Sequence, residues 1–258
     1  RDTWQGKPTI GWPGEPLVRW RGYEKLASYA TPTLATIHGR RTLFCLTRQG
    51  LVSMDPKTGN VNFSRWFRAR VNESVNAANP IVLGNQIFCS AAYYGVGSFL
   101  LDIVSDGKSF TELWSTNERR KANRRLDPVL GIHWTTPILH DGHLYAFSGR
   151  DEPDAQFRCV DLESGRVKWS RDERWQKRGS KQPDVYGRGS AIMADGKLLV
   201  LGEGGLLGLF EVNAAKPVEL GRHQVPDLLY PCWAAPILSD KRMVIRSEDY
   251  LICFDVAK

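Results

Sequence analysis

Short apolar or alternating runs of four to six positions recur along the chain, each bounded by Gly, Asp or Ser, which is the pattern of β-strands. The clearest passage is "TTPILHDGHLYAFSGRDEPDAQFRCVDLESGRVKW". It predicts four strands, "TPIL", "HLYAFS", "QFRCVDL" and "RVKW". The turns "HDG" and "ESG" close the first and last hairpins, and a longer loop joins the middle pair.

The same grammar returns at "TPTLATIHGRRTLFCLTRQGLVSMDPKTGNVNF" and "ANPIVLGNQIFCSAAYYGVGSFLLDIVSDGKSFTELW". "GSAIMADGKLLVLGEGGLLGLFEVNAAKPVEL" is a looser copy, and "AAPILSDKRMVIRSEDYLICFDVAK" a fifth that lacks its fourth strand. The copies lie roughly 45 to 57 residues apart, a period that points to propellers or solenoids. Four short antiparallel strands per repeat favour the propeller. The expected fold is therefore an all-β propeller of five four-stranded blades in one domain, 1–258. The blades are expected at about 31–66, 78–116, 135–170, 189–222 and 234–258. Residues 15–21 ("GEPLVRW" ends at Trp20) resemble a stray fourth strand and are expected to complete the last blade. That closure would remove an open edge. A large residue ends the fourth strand at Trp20, Phe63, Trp114 and Trp169, weakening to Leu220, and is expected to pack between blades.

The pattern D-x-x-[ST]-G-x-V-x-[WF], seen in "MDPKTGNVNF" and "VDLESGRVKW" after strands such as "TTPILHDGHLYAF", resembles the pyrroloquinoline-quinone-like (PQQ-like) β-propeller repeat. That group of bacterial proteins includes the propeller lipoprotein of the BAM complex. The resemblance implies a periplasmic or secreted location. Propellers of the group usually have about seven or eight blades, against five here. Its quinoprotein dehydrogenases carry adjacent cysteines over the cofactor and a calcium set. No Cys-Cys pair occurs in this chain. No cofactor is therefore expected, with pyrroloquinoline quinone plus calcium as the alternative.

The remaining composition narrows the function classes. No run reaches the roughly 20 apolar residues that span a bilayer. The chain opens on Arg1 and shows no signal-peptide core, as in a processed or trimmed form. The formal charge is +7, part of it in Arg119, Arg120, Lys121, Arg124 and Arg125. Without a nucleic-acid motif this cluster reads as a solvated loop. Five cysteines without a C-x-x-C give neither a disulfide scaffold nor a zinc ribbon. Cys45, Cys89, Cys159 and Cys253 are expected to serve as small buried hydrophobes. His140 and His143 lie across a turn, a poor start for a metal site, and no hydrolase motif is present.

Strand direction places the minimal turns on one face, and the longer loops and interblade connections on the other. The loop-rich face is the candidate for binding. Residues preceding each first strand are Tyr29, Asn76, His133 with Trp134, Arg188 and Trp233. The second-to-third-strand loops add Arg48, Tyr93, Arg150, Glu203 and Arg246. From these the expected ligand-binding set is Arg188, Trp233, His133, Asn76, Arg48, Arg150 and Glu203. Such arginines and tryptophans suit an anionic or sugar-like ligand or an acidic peptide. The alternative is that the arginines pair with nearby acids such as Asp151, Glu152, Glu248 and Asp249. Alanine at Arg188 or Trp233 is expected to spare stability and abolish binding. The function expected is a non-catalytic, monomeric binding or scaffold module for a protein or carbohydrate, with no nucleic-acid partner. A divergent quinoprotein oxidoreductase or sugar-active enzyme is the alternative.

Overall fold

The hairpin turns show why these residues form these strands. In "HG", "DG", "DG" and "DK", both turn residues take positive φ: His38 and Gly39, Asp141 and Gly142, Asp195 and Gly196, Asp240 and Lys241. This is the type I′ geometry whose twist matches the strands on either side. The D-x-x-[ST]-G turn is fastened by its aspartate. The Asp55 carboxylate accepts Lys57 N–H at 2.7 Å and Thr58 N–H at 3.0 Å, and Asp161 accepts Ser164 N–H at 2.7 Å together with the Ser164 hydroxyl. These bonds, the Ser164 hydroxyl foremost, hold the Asp161 carboxyl below its ordinary range.

The computed structural model describes residues 29–69, 74–116, 129–151, 154–175 and 184–257. Among them are nineteen strands in five sheets. The first sheet is β1 (Thr33–Ile37), β2 (Arg40–Leu46), β3 (Gly50–Met54) and β4 (Val61–Trp66). The second is β5 (Ile81–Leu83), β6 (Gln86–Ala91), β7 (Gly97–Ile103) and β8 (Phe110–Ser115). The third holds β9 (Ile138–His140), β10 (His143–Ser148), β11 (Gln156–Asp161) and β12 (Val167–Asp172). The fourth holds β13 (Ser190–Ala194), β14 (Lys197–Leu201), β15 (Leu206–Glu211) and β16 (Glu219–Gln224). The fifth is β17 (Ile237–Ser239), β18 (Arg242–Arg246) and β19 (Leu251–Asp255). Every sheet is antiparallel in sequence order, so consecutive strands are neighbours. The expected closing strand at 15–21 and the basic cluster at 119–125 lie outside the described residues.

The chain forms two compact units, 1–136 with the first two sheets and 137–258 with the other three. In unit 1, one core of Phe44, Leu46, Phe67, Ile87, Phe99 and Leu101 joins its sheets. In unit 2, Tyr145, Phe157, Tyr186 and Phe210 pack the third sheet on the fourth. Leu201, Leu228, Cys232, Met243 and Ile245 pack the fourth sheet on the fifth.

A register shift recurs where the third and fourth strands of each four-stranded sheet pair, at Ser53/Met54, Leu100/Leu101, Cys159/Val160 and Leu209/Phe210. Just before the shift the fourth strand presents Phe63, Trp114, Trp169 and Gly221. The register corrects the sequence alignment: Gly221, not Leu220, occupies the aromatic position, and Leu220 is 46% exposed. Phe63 meets Phe110 of the neighbouring sheet with ring centroids 5.1 Å apart. Trp169 donates its indole N–H to Asn213 O, in the turn between β15 and β16, at 2.9 Å. Cys89 and Cys159 are buried as expected and Cys45 is half-buried, but Cys253 is exposed on β19, the last described strand of the fifth sheet.

Candidate functional site

The segment 225–236, "VPDLLYPCWAAP", connects β16 to β17 on the loop-rich side of unit 2. Its buried and exposed residues are sharply divided. Val225, Leu228 and Cys232 are buried, while Leu229, Tyr230 and Trp233 stand 58%, 44% and 46% exposed. The buried residues are anchored through the backbone. Val225 N–H donates to Gly205 O at 3.2 Å, Leu228 N–H to Val225 O at 3.4 Å, and Cys232 N–H to Glu203 O at 2.9 Å. The Ser190 hydroxyl donates to Trp233 O at 3.2 Å. Gly205, at φ +85°, lets the segment come this close, since a Cβ there would lie 1.8 Å from Leu228 O. The Tyr230–Pro231 peptide is cis. Burial pushes the Cys232 thiol up to about 11, with the Glu203 charge adding to the effect, so this sulfur stays protonated.

The exposed rings are ordered by one another. Tyr230 sits edge-on to the buried Trp175, centroids 5.4 Å apart, and edge-on to Trp233 at 6.1 Å. The result is a preformed apolar step of Leu229, Tyr230 and Trp233 over a fixed backbone. Rigid aromatic rings offer large contact area at small entropic cost.

Directly beneath lies the charged pair expected to bind ligand. Arg188 is 7% exposed and Glu203 fully buried. Arg188 Nη2 donates to Glu203 Oε2 at 2.8 Å, Nε to Oε1 at 3.3 Å, and Nη1 to Arg150 O at 2.7 Å. The Arg188 backbone N–H also donates to Glu203 Oε1 at 2.9 Å. Gly187, at φ +64°, makes room, because a Cβ there would come within 2.5 Å of that oxygen. Arg188 therefore pairs with an acid, Glu203, which was itself expected in the ligand-binding set. Arg188, Glu203, Arg150 and Trp233 are thus gathered in one region of unit 2, and of their side chains only that of Trp233 projects well into solvent.

In unit 1 the expected residues take other roles. Asn76 is buried, and its amide donates to Thr47 O and Phe67 O, both at 2.8 Å, fastening the loop that carries the buried Arg48. His133 Nε2 lies 3.0 Å from Tyr93 Oη, with Trp134 against its ring at 4.9 Å. His140 and His143 face each other in register on β9 and β10. Among the described residues no three His, Cys, Asp or Glu side chains cluster as for a metal ion, and no helix is long and apolar enough to cross a membrane.

A further network in unit 2 escaped the sequence. Glu173 is fully buried, accepts Tyr186 N–H at 2.9 Å and pairs with Arg171 at 3.1 Å. Arg171 also reaches Glu219 at 2.8 Å, which accepts the Tyr186 hydroxyl at 2.9 Å and is gripped by Arg222. Burial raises the Glu173 carboxyl to about 7. Leu229, Tyr230 and Trp175 were missed as well. The signal was available in "DLLYPCW", an apolar run inside a connection where polar residues are the rule.

Residues 17–171, more than half of the chain, match the profile of the family described as outer membrane protein assembly factor BamB. No curated protein sequence matches. Among solved structures the chain is similar to BamB from Moraxella catarrhalis, with a TM-score of 0.57 and 11% identity over 88% of this chain and 58% of that one. The chain thus spans less than two thirds of that structure's length. It is also similar to the β-propeller domain of Cps50 (Swd1) from Myceliophteria thermophila, with a TM-score of 0.53 and 14% identity over 87% of this chain and 70% of that one. The N-terminal domain of Nup159 gives 0.51 and 11%, over 86% and 54%. At these identities the likeness establishes the propeller fold.

Proposed function

The chain belongs to the family of the outer membrane protein assembly factor BamB, and from that premise we propose that it is a non-catalytic propeller module presenting a preformed face to another protein. The observation that carries this reading is the step of Leu229, Tyr230 and Trp233, exposed on a backbone anchored by buried neighbours. Aromatic anchors held in one conformation before contact are the usual centre of a protein interface. Leu229, the most exposed of the three, favours an apolar side chain over a sugar as its partner. No cofactor enters this reading, and the family suggests a periplasmic setting in which a monomer meets a component of outer membrane assembly.

The test is site-specific photocrosslinking in the cell envelope. A photoreactive phenylalanine analogue at Trp233 should give a discrete adduct with an outer membrane assembly protein. The same group at Lys216, in the turn on the opposite side of its sheet, should give none. Leu229→Asp should remove the Trp233 adduct without unfolding the protein. Equal crosslinking from both positions, or none from Trp233, would reject the interface.

A further inference from the structure

Three sheets carry the same pair of aromatic rings. They are Phe44 with Phe63, Phe88 with Trp114, and Tyr145 with Trp169, their centroids 6.5, 6.0 and 6.1 Å apart. The register makes the positions equivalent. In each sheet a second-strand residue pairs with a third-strand residue, which pairs with the fourth-strand aromatic just before the register shift: Phe44–Ser53–Phe63, Phe88–Leu100–Trp114 and Tyr145–Cys159–Trp169. In the fourth sheet that file reads Leu199–Leu209–Gly221. Both rings are gone.

Nothing in the described chain refills the space. A Cβ built on Gly221 would meet no atom within 4 Å. A groove of ≈ 490 Å³ runs there between the fourth and fifth sheets, lined by Leu199, Leu207 and Leu209 on one side and Met243 on the other. Its polar lining is Lys197, Arg222, His223 and one acid, Asp195. Arg222 is committed to Glu219 at 2.5 Å and to Asp184 O at 2.8 Å. Lys197 is exposed, its ammonium 3.4 Å from the Asp195 carbonyl.

We propose that this groove is a binding site for a planar aromatic anion of about two fused rings. The ring system takes the place of the missing aromatic pair, and the negative group meets Lys197. The volume falls within the range of small-molecule sites. The apolar walls lack the ring contacts that the equivalent positions of the other sheets possess, and an external ring supplies them. The site is remote in character from the Tyr230 step, and the inference stands whether or not that step binds protein.

The probe is indole-3-acetate, followed through the methyl resonances of Leu199, Leu209 and Met243 in the intact protein. Binding should saturate with one molecule per chain, and cyclohexylacetate should bind about tenfold more weakly. Gly221→Trp, which restores the residue of the sister sheets, should abolish saturation and raise the melting temperature. Lys197→Glu, a surface change, should weaken indole-3-acetate while leaving uncharged indole unaffected. Three results would overturn the proposal: no saturable shift, cyclohexylacetate binding as tightly as the aromatic acid, or undiminished binding by Gly221→Trp. Tighter binding of an acidic tryptophan peptide than of indole-3-acetate would overturn the small-molecule assignment in favour of protein docking.

Discussion

Replacing Arg188 by methionine tests whether the buried pair beneath the aromatic step is structural. The guanidinium makes two contacts to Glu203 and one to Arg150 O, in a place where Glu203 has no access to water. Removing it leaves a buried carboxylate with the Arg188 backbone N–H but without its counter-charge. Breaking such a pair from one side costs about 3–5 kcal/mol, far more than the 0–1 kcal/mol of a surface pair. At about 2–4 °C per kcal/mol for a chain of this size, the melting temperature should fall by roughly 6–20 °C. Calorimetry and urea titration of unit 2 signals give the readout. Arg188→Met combined with Glu203→Gln removes the uncompensated charge while an amide oxygen still accepts the backbone N–H. The double variant should therefore be more stable than Arg188→Met alone. A single variant that melts within about 1 °C of the parent would refute the reasoning. It would return Arg188 to the expectation drawn from the sequence, a ligand group whose loss spares the fold.

Glu173 has a folded pKa of about 7, raised by burial above the ordinary 4.5. The folded state thus keeps a proton that the unfolded chain has released, and stability should fall as pH climbs from about 4.5 to 7, by up to about 3 kcal/mol. Glu173→Gln should flatten that slope in urea titrations, and an unchanged slope would assign the pH dependence to other groups. Gly205→Ala sets a Cβ against Leu228 O at positive φ. It should cost at least about 1–3 kcal/mol and loosen the aromatic step, seen as loss of near-ultraviolet circular dichroism. Trp233→Ser removes a side chain already half in water and should lower the melting temperature by no more than about 3 °C while crosslinking to a partner disappears. With a thiol reagent, the exposed Cys253 should react at once, whereas Cys89, Cys159 and Cys232 should wait for unfolding.

Local chemistry made the architecture legible. Apolar alternation fixed strands, the two-residue turns require positive φ, and D-x-x-[ST]-G closes on its own aspartate through bonds spanning two or three residues. Each of these acts within a few positions, so the sequence displays them directly. The site was legible only as a list. Which acid Arg188 would meet depends on chain segments 15 residues apart being folded against each other, and nothing in the linear order of residues singles out Glu203. Asn76 looked like a ligand group because its position faces the loop-rich side, and burial made it a clasp for two carbonyls.

The vacant aromatic position shows the same division. Phe63, Trp114 and Trp169 can be read from the chain, and their recurrence alone calls for packing between sheets. That the fourth sheet places Gly221 there, one residue beyond the aligned Leu220, depends on a register shift that no linear spacing reveals. The sequence by itself determined the repeat, the strand order and the turns, because these follow from interactions between neighbours along the chain. The tertiary structure decided which charges are buried, which rings are exposed and where the space between sheets stays open, because burial and pairing are properties of surfaces that only folding brings together.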